Sequence, residues 1–348
     1  MKRETGLKLR YKTYSILVLI IILSLPITNI ILSNIFINDF SNIPNTQAED
    51  SGEDSILWKL GKGFPGSGAT MQPRLVNLTE GGAPLIIVGT DGGIATITLD
   101  GFLNMSYRTF GPVIDFEIIE DISGDNQDDI VLITYYQEHP NVIAISSNNG
   151  SELWKFKPTI VGISPETYEA QNFIPYSWDI KLINDITSDF VSEIVISSWH
   201  RLIVVNGKSG NKVWMNDHDF TNDVWKLEVV EDINGNGFET IIAGSEEGKL
   251  CAFDSQDGSK LWTFTVKGTE MLVYGMMGLT LETIPNSIDD IRVVGDVNND
   301  AINDILIASD DGYLRLISGR YGSFLDSDIC YNISSTTETY YGSFPTSP

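Results

Sequence analysis

The chain has 348 residues, 42% hydrophobic and 20% charged, enough for one large globular domain or two ordinary ones. Its formal charge of -25 at neutral pH argues against nucleic acid and anionic lipid surfaces as partners, and it favours divalent cations or basic partners.

The N-terminus is the basic exception. Lys2, Arg3, Lys8, Arg10 and Lys12 face only Glu4, and residues 1–13 read as a cytoplasmic segment. Residues 14–37 are almost wholly Ile, Leu and Val, long enough to cross a hydrocarbon layer of roughly 30 Å. With acids behind the span (Asp39, Glu49, Asp50), the expected topology is a single-pass anchor at the cell membrane with the rest extracytoplasmic. The alternative is secretion after signal cleavage, with Ile16 to Leu25 as the apolar region and Pro26 ending it, but no small-x-small cleavage site follows. Sequons at Asn77, Asn104, Asn149 and Asn332 suit an exported chain. Residues 38–55 are polar and aperiodic, a linker.

From residue 56 to 326 one plan recurs: four short alternating strands separated by Gly-containing turns, with an acidic loop between the first and second. The clearest copy runs WKLEVVE (225–231), the loop, TIIAGS (240–245), KLCAFD (249–254) and KLWTFTV (260–266). Two further copies are complete and one has a weak fourth strand. An earlier copy is degraded, with Asn77, Thr79 and Gly81 where acids would stand. Tandem four-stranded units predict an all-β chain, a β-propeller of about five recognisable blades or an incomplete larger ring, preceded by one transmembrane helix. SILWKLGKG (55–63) reads as an isolated fourth strand, and residues 327–348 as a tail or the start of a further blade.

The stretch GKLCAFDSQDGSKLWTF, with Ala252, Asp254, Gly258 and Trp262, resembles the tryptophan-docking repeat of quinoprotein-like (PQQ-like) propellers. Ala144, Gly150 and Trp154, and Gly210 and Trp214, repeat the offsets, with Ser146 and Asn206 in place of the Asp. The aspartate-rich loops are similar to the FG-GAP or VCBS repeats of integrin-type propellers. Both resemblances imply a fold rather than an activity.

The loops begin at Asp121, Asp185, Asp232 and Asp296. Oxygen side chains at the first, third, fifth and ninth positions can converge on calcium, which takes six to eight oxygens at roughly 2.3–2.6 Å. The candidate ligands are Asp121, Ser123, Asp125 and Asp129; Asp185, Thr187, Asp189 and Glu193; Asp232, Asn234 and Asn236; and Asp296, Asn298, Asp300 and Asp304. The Asp232 loop should bind weakest, since Thr240 replaces its last acid, although Glu239 lies beside it. Asx turns alone would also explain single acids here, but three spaced acids exceed what a turn needs. Ca2+ is therefore the expected cofactor, and no PQQ is expected.

Strand alternation puts these loops on one face and the blade-to-blade connections on the other. Two of those connections are long, residues 157–177 and 267–288, and contain Tyr168, Phe173, Tyr176, Met271, Tyr274, Met276 and Met277. They are the expected contact surface for a protein or glycan ligand. Trp178 and Trp225, seven residues before their loops, are expected to pack between blades. An enzyme finds little support. His139, His200 and His218 lie in no metal-ligand or hydrolase signature, Cys251 and Cys330 form no vicinal pair, and GKGFPGSG (61–68) lacks the Walker ending. The expected function is a non-catalytic binding or assembly scaffold; the alternatives are a quinone-dependent dehydrogenase-like or a polysaccharide-acting enzyme.

Overall fold

A computed structural model describes residues 69–135, 142–158, 160–163, 170–173, 177–275, 278–325 and 331–332. The expected anchor 14–37 and linker 38–55 lie outside the described residues. Among those described, no helix is long and apolar enough to cross a membrane.

Among the described residues five four-stranded antiparallel sheets follow one another, each a meander in which sequence neighbours are spatial neighbours. Blade 1 is β1 (Arg74–Val76), β2 (Leu85–Thr90), β3 (Gly93–Thr98) and β4 (Leu103–Arg108), and blade 2 is β5 (Val113–Ile119), β6 (Asp129–Thr134), β7 (Val142–Ile145) and β8 (Glu152–Phe156). A hairpin of β9 (Ile160–Ile163) and β10 (Ala170–Phe173) leads to blade 3: β11 (Ser177–Ile183), β12 (Glu193–Ser198), β13 (Arg201–Val205) and β14 (Lys212–Asn216). Blade 4 is β15 (Val224–Val230), β16 (Thr240–Ser245), β17 (Lys249–Asp254) and β18 (Lys260–Thr265). A second hairpin, β19 (Thr269–Gly275) and β20 (Gly278–Ile284), precedes blade 5: β21 (Ile288–Val293), β22 (Ile305–Ser309), β23 (Tyr313–Ile317) and β24 (Tyr331–Asn332). The last strand comes late: Phe324 bridges Ile317, and only then do Tyr331 and Asn332 pair with Leu314 and Tyr313.

The middle strands are continuous apolar runs because both faces of each sheet are covered. Along β12, Ile194 and Ile196 pack with Val131 and Ile133 of blade 2, while Val195 packs with Leu227 and Ile241 of blade 4. Alternate side chains thus enter opposite seams, as the two-residue period of a strand requires. Four such seams join the five blades, the stacking of a β-propeller. Phe116 and Phe253 are fully buried in them, each contributing about 2–3 kcal/mol.

Tryptophans lock three of the seams. Trp154, Trp214 and Trp262 donate Nε1–H to the carbonyls of Gly207, Ser255 and Gly319 in the next blade, at 2.8, 2.9 and 3.0 Å. Each ring covers a glycine of that blade's outer turn: Gly210, Gly258 and Gly322, with φ of +69°, +73° and +63°. A Cβ there would lie 2.6, 2.8 and 2.4 Å from ring carbons, so both backbone and packing demand glycine. In blade 1, Met105 takes the tryptophan's register and abuts Gly150.

Each innermost strand places a charge at one matching register: Arg74 opposite Ile87, Glu117 opposite Val131, Lys181 opposite Val195, Glu228 opposite Ile242 and Arg292 opposite Leu306. The sign alternates from blade to blade. Glu117 lies 3.6 Å from Arg74 and 4.0 Å from Lys181, and Glu228 lies 3.3 Å from Arg292. Beside this belt, Asp179 is buried and accepts the Leu227 amide across the seam at 2.9 Å. Burial pushes its carboxyl up to about 6, against the pull of Lys181, the Leu227 amide and Lys226. The folded state therefore holds this proton more tightly than the unfolded chain. The associated stability is present below about pH 4 and is lost as pH rises through about 6. The ionised carboxylate then costs on the order of 3 kcal/mol. Asp179→Asn keeps an acceptor for Leu227, so it should melt higher than the parent at pH 8 and converge with it only below about pH 4 in thermal scans.

Candidate functional site

All four acidic loops join the first and second strands of their blades, at one end of the stack. In each, the first aspartate is engaged by the backbone. Asp121 accepts the amides of Gly124, Asp125 and Asn126 at 2.6, 3.1 and 2.6 Å; Asp185 accepts those of Thr187, Ser188, Asp189 and Phe190. Asp232 takes Asn234, Gly235 and Gly237, and Asp296 takes Asp300 and Ala301. Desolvation works upward on Asp121, Asp185 and Asp232, but these amides outweigh it and hold the carboxyls below the ordinary range. Wrapping the backbone this way puts the fourth and sixth loop residues in the left-handed region. They are Gly124 and Asn126, Ser188 and Phe190, Gly235 and Gly237, and Asn299 and Ala301.

The ninth position points back under the loop. Asp129 is buried and accepts the amides of Ile122, Ser123 and Ser147; Asp304, also buried, accepts those of Val297, Asn298 and Gly319. Glu193 takes the Ile186 amide and the Thr187 hydroxyl at 2.7 and 2.6 Å. Burial raises Asp129 and Glu193, with the neighbouring loop carboxylates adding to it.

Two loops gather three carboxylates. Asp121, Asp125 and Asp129 offer oxygens within 4.8 Å of one another, and so do Asp185, Asp189 and Glu193. Ser123 and Thr187 add a hydroxyl beside each group, bonded to Asp121 and Glu193. Like charges this close oppose one another, and the oxygen set suits a hard divalent cation. Among the described residues the other two loops form no such triad. In the fourth, Asp300 lies 3.8 Å from Nε of Arg320, so a guanidinium sits beside the acid. In the third, Asn234 and Asn236 both donate to Asp254, at 2.6 and 2.5 Å.

Asp254 ends β17, where the other blades have Ser146, Asn206 and Ser318. Those three bond to the fifth loop residue: Ser146 to Asp125, Asn206 to Asp189 and Ser318 to Asp300. The neutral loop thus meets an acid and the acidic loops meet neutral donors. Sequence reading missed this partner, although its constant offset, four residues before the docking glycine, is visible. The loops are also tied across seams, Glu120 to Ser192, Glu239 to the Asn184 amide, and Glu231 to Asn303.

At the other end the two long connections are partly paired into strands. They contain the hairpins β9–β10 and β19–β20, the second turning between Gly275 and Gly278. On the second hairpin Met271, Leu272, Leu281 and Ile284 are exposed, with Leu272 directly opposite Leu281. Tyr168, Tyr176, Met276 and Met277 lie outside the described residues. Trp178 turns its Nε1–H to Asp223 at 3.0 Å and its ring to Tyr135 at 5.8 Å, at this same end. Cys251 is a buried free thiol.

Comparison with protein-family models gives no match, and neither does comparison with curated protein sequences. Among solved structures the chain is similar to Saccharomyces cerevisiae Sqt1, at 15% identity and TM-score 0.45, with 70% of this chain and 57% of that one covered. It is also similar to BBS1N, solved in complex with ARL6DN, at 11% identity. One such structure (mercury-soaked) has TM-score 0.46 and coverage of 72% and 79%; the other (lead-soaked) has TM-score 0.45 and coverage of 77% and 85%. The chain thus spans less than two thirds of the Sqt1 chain.

Proposed function

We propose that this protein is a membrane-anchored, extracytoplasmic propeller that binds a protein or glycan partner without catalysis. In this reading residues 14–37 hold it at the membrane, calcium stiffens the acidic loops, and the partner meets the opposite end. The observation that carries it is the pair of hairpins rising between blades at one end, one of them exposing Met271, Leu272, Leu281 and Ile284. A two-stranded hairpin has little stability of its own in water, and contiguous apolar exposure marks interaction sites. The oxygen sets of the Asp121 and Asp185 loops suit a divalent cation, which supports calcium in this reading.

The test is crosslinking and capture from the native membrane with the full chain, beside a variant in which 269–284 are replaced by a short Gly-Ser linker. The partner should be captured by the parent and lost from the variant, whose melting point stays within a few degrees. Equal capture by both would overturn the assignment of this face.

A further inference from the structure

On the partner-facing end, blade 3 departs from its neighbours at one turn. Ser198 pairs with Arg201, and the two residues between them are Trp199 and His200. Trp199 has φ of +55°, whereas blades 4 and 5 use Gly248 (+77°) and Gly312 (+82°) at the corresponding turns. A bulky aromatic in the left-handed region is an outlier that persists only where its surroundings hold it. Here the Val224 amide of the next blade bonds to the Trp199 carbonyl at 2.8 Å, and the indole stacks on His200 with centroids 6.1 Å apart.

Next to this turn, Arg201 has two buried nitrogens, Nε and Nη1, with no hydrogen-bond partner. Asp217 acts on the guanidinium through space but gives neither nitrogen an acceptor. A buried guanidinium donor without an acceptor is costly, and its natural complement is a carboxylate. Trp178 lies at the bulge of β11 opposite Ser197 and Ser198, the residues that lead into this turn.

We propose that the corner formed by Trp199, His200 and Arg201 binds a carboxylate-bearing peptide of the protein partner, with Arg201 meeting the carboxylate and the Trp199 indole covering the adjoining apolar side chain. This rests on the reading of this end as the partner surface and names the chemistry recognised there. Strain at Trp199 is then the cost of presenting a flat ring where a glycine would present nothing.

The test is calorimetric titration of the intact chain with Gly-Gly-Phe carrying a free carboxylate, the same peptide as its amide, N-acetyl-Gly-Glu-Phe-amide, and a glucuronic acid disaccharide. Either carboxylate peptide should bind at least ~10-fold more tightly than the plain amide. The two carboxylate peptides distinguish a chain terminus from an acidic side chain. Arg201→Met should lose that preference while melting within a few degrees of the parent without ligand, since the two covered nitrogens it removes have no partner in the fold. Trp199→Gly should keep the fold and weaken binding. Equal binding of acid and amide, preference for the disaccharide over both peptides, or marked destabilisation of unliganded Arg201→Met would each overturn the proposal. Loss of partner capture on deleting 269–284, with no effect of Arg201→Met, would preserve the proposed function and reject this corner.

Discussion

Trp214→Ala is expected to destabilise the protein by about 3 kcal/mol in denaturant unfolding, although the ring is only partly buried. The side chain closes the seam between blades 3 and 4 in two ways. Its Nε1–H satisfies the Ser255 carbonyl, and its face fills the space above Gly258. Removing it leaves a cavity and a carbonyl without its donor at one stroke. Gly258→Ala should echo the effect more weakly, since its Cβ would meet the ring at 2.8 Å and its φ of +73° disfavours any side chain. The double variant should be less destabilised than the sum, because alanine at 258 no longer meets the ring once Trp214 is gone. Additive losses would show that the dock is not a single contact.

Chelation of calcium should lower the melting temperature by roughly 5–10 °C for each occupied site. At free calcium about 100 times Kd, one site contributes about 3 kcal/mol, and 1 kcal/mol moves a domain of this size by roughly 2–4 °C. The effect should reside in the loops of Asp121 and Asp185, where three carboxylates already converge. Asp125→Asn and Asp189→Asn should therefore reduce the response to added calcium. Asp300→Asn should not, because Arg320 stands beside that acid. Melting curves that ignore the chelator would reject calcium as the cofactor. A response confined to Asp300→Asn would put the ion in the wrong loop for this geometry.

Much of this was legible in the residues. TIIAGS and KLCAFD coincide with β16 and β17, since alternation between Gly-containing turns leaves a strand little freedom of register. The loop acids at the first and ninth positions were visible because their spacing repeats. Their unequal partners were not: Asp254 reaches the third loop from the end of β17, and Arg320 reaches Asp300 from the turn after β23. Each lies about twenty residues away, a separation that local spacing does not encode. The hairpins at 160–173 and 269–284 were hidden because their strands stand alone, outside the repeat that identified the others.

The sequence by itself determined the all-β class, the four-strand unit, the position of its acidic loops and the glycines of its turns, because all of these follow from backbone sterics and short-range periodicity. Tertiary structure alone decided that the innermost strands alternate in charge from Arg74 to Arg292, with Glu117 set between Arg74 and Lys181 and Glu228 beside Arg292. That arrangement depends on side chains from different blades, which only the stacking of the blades brings within reach.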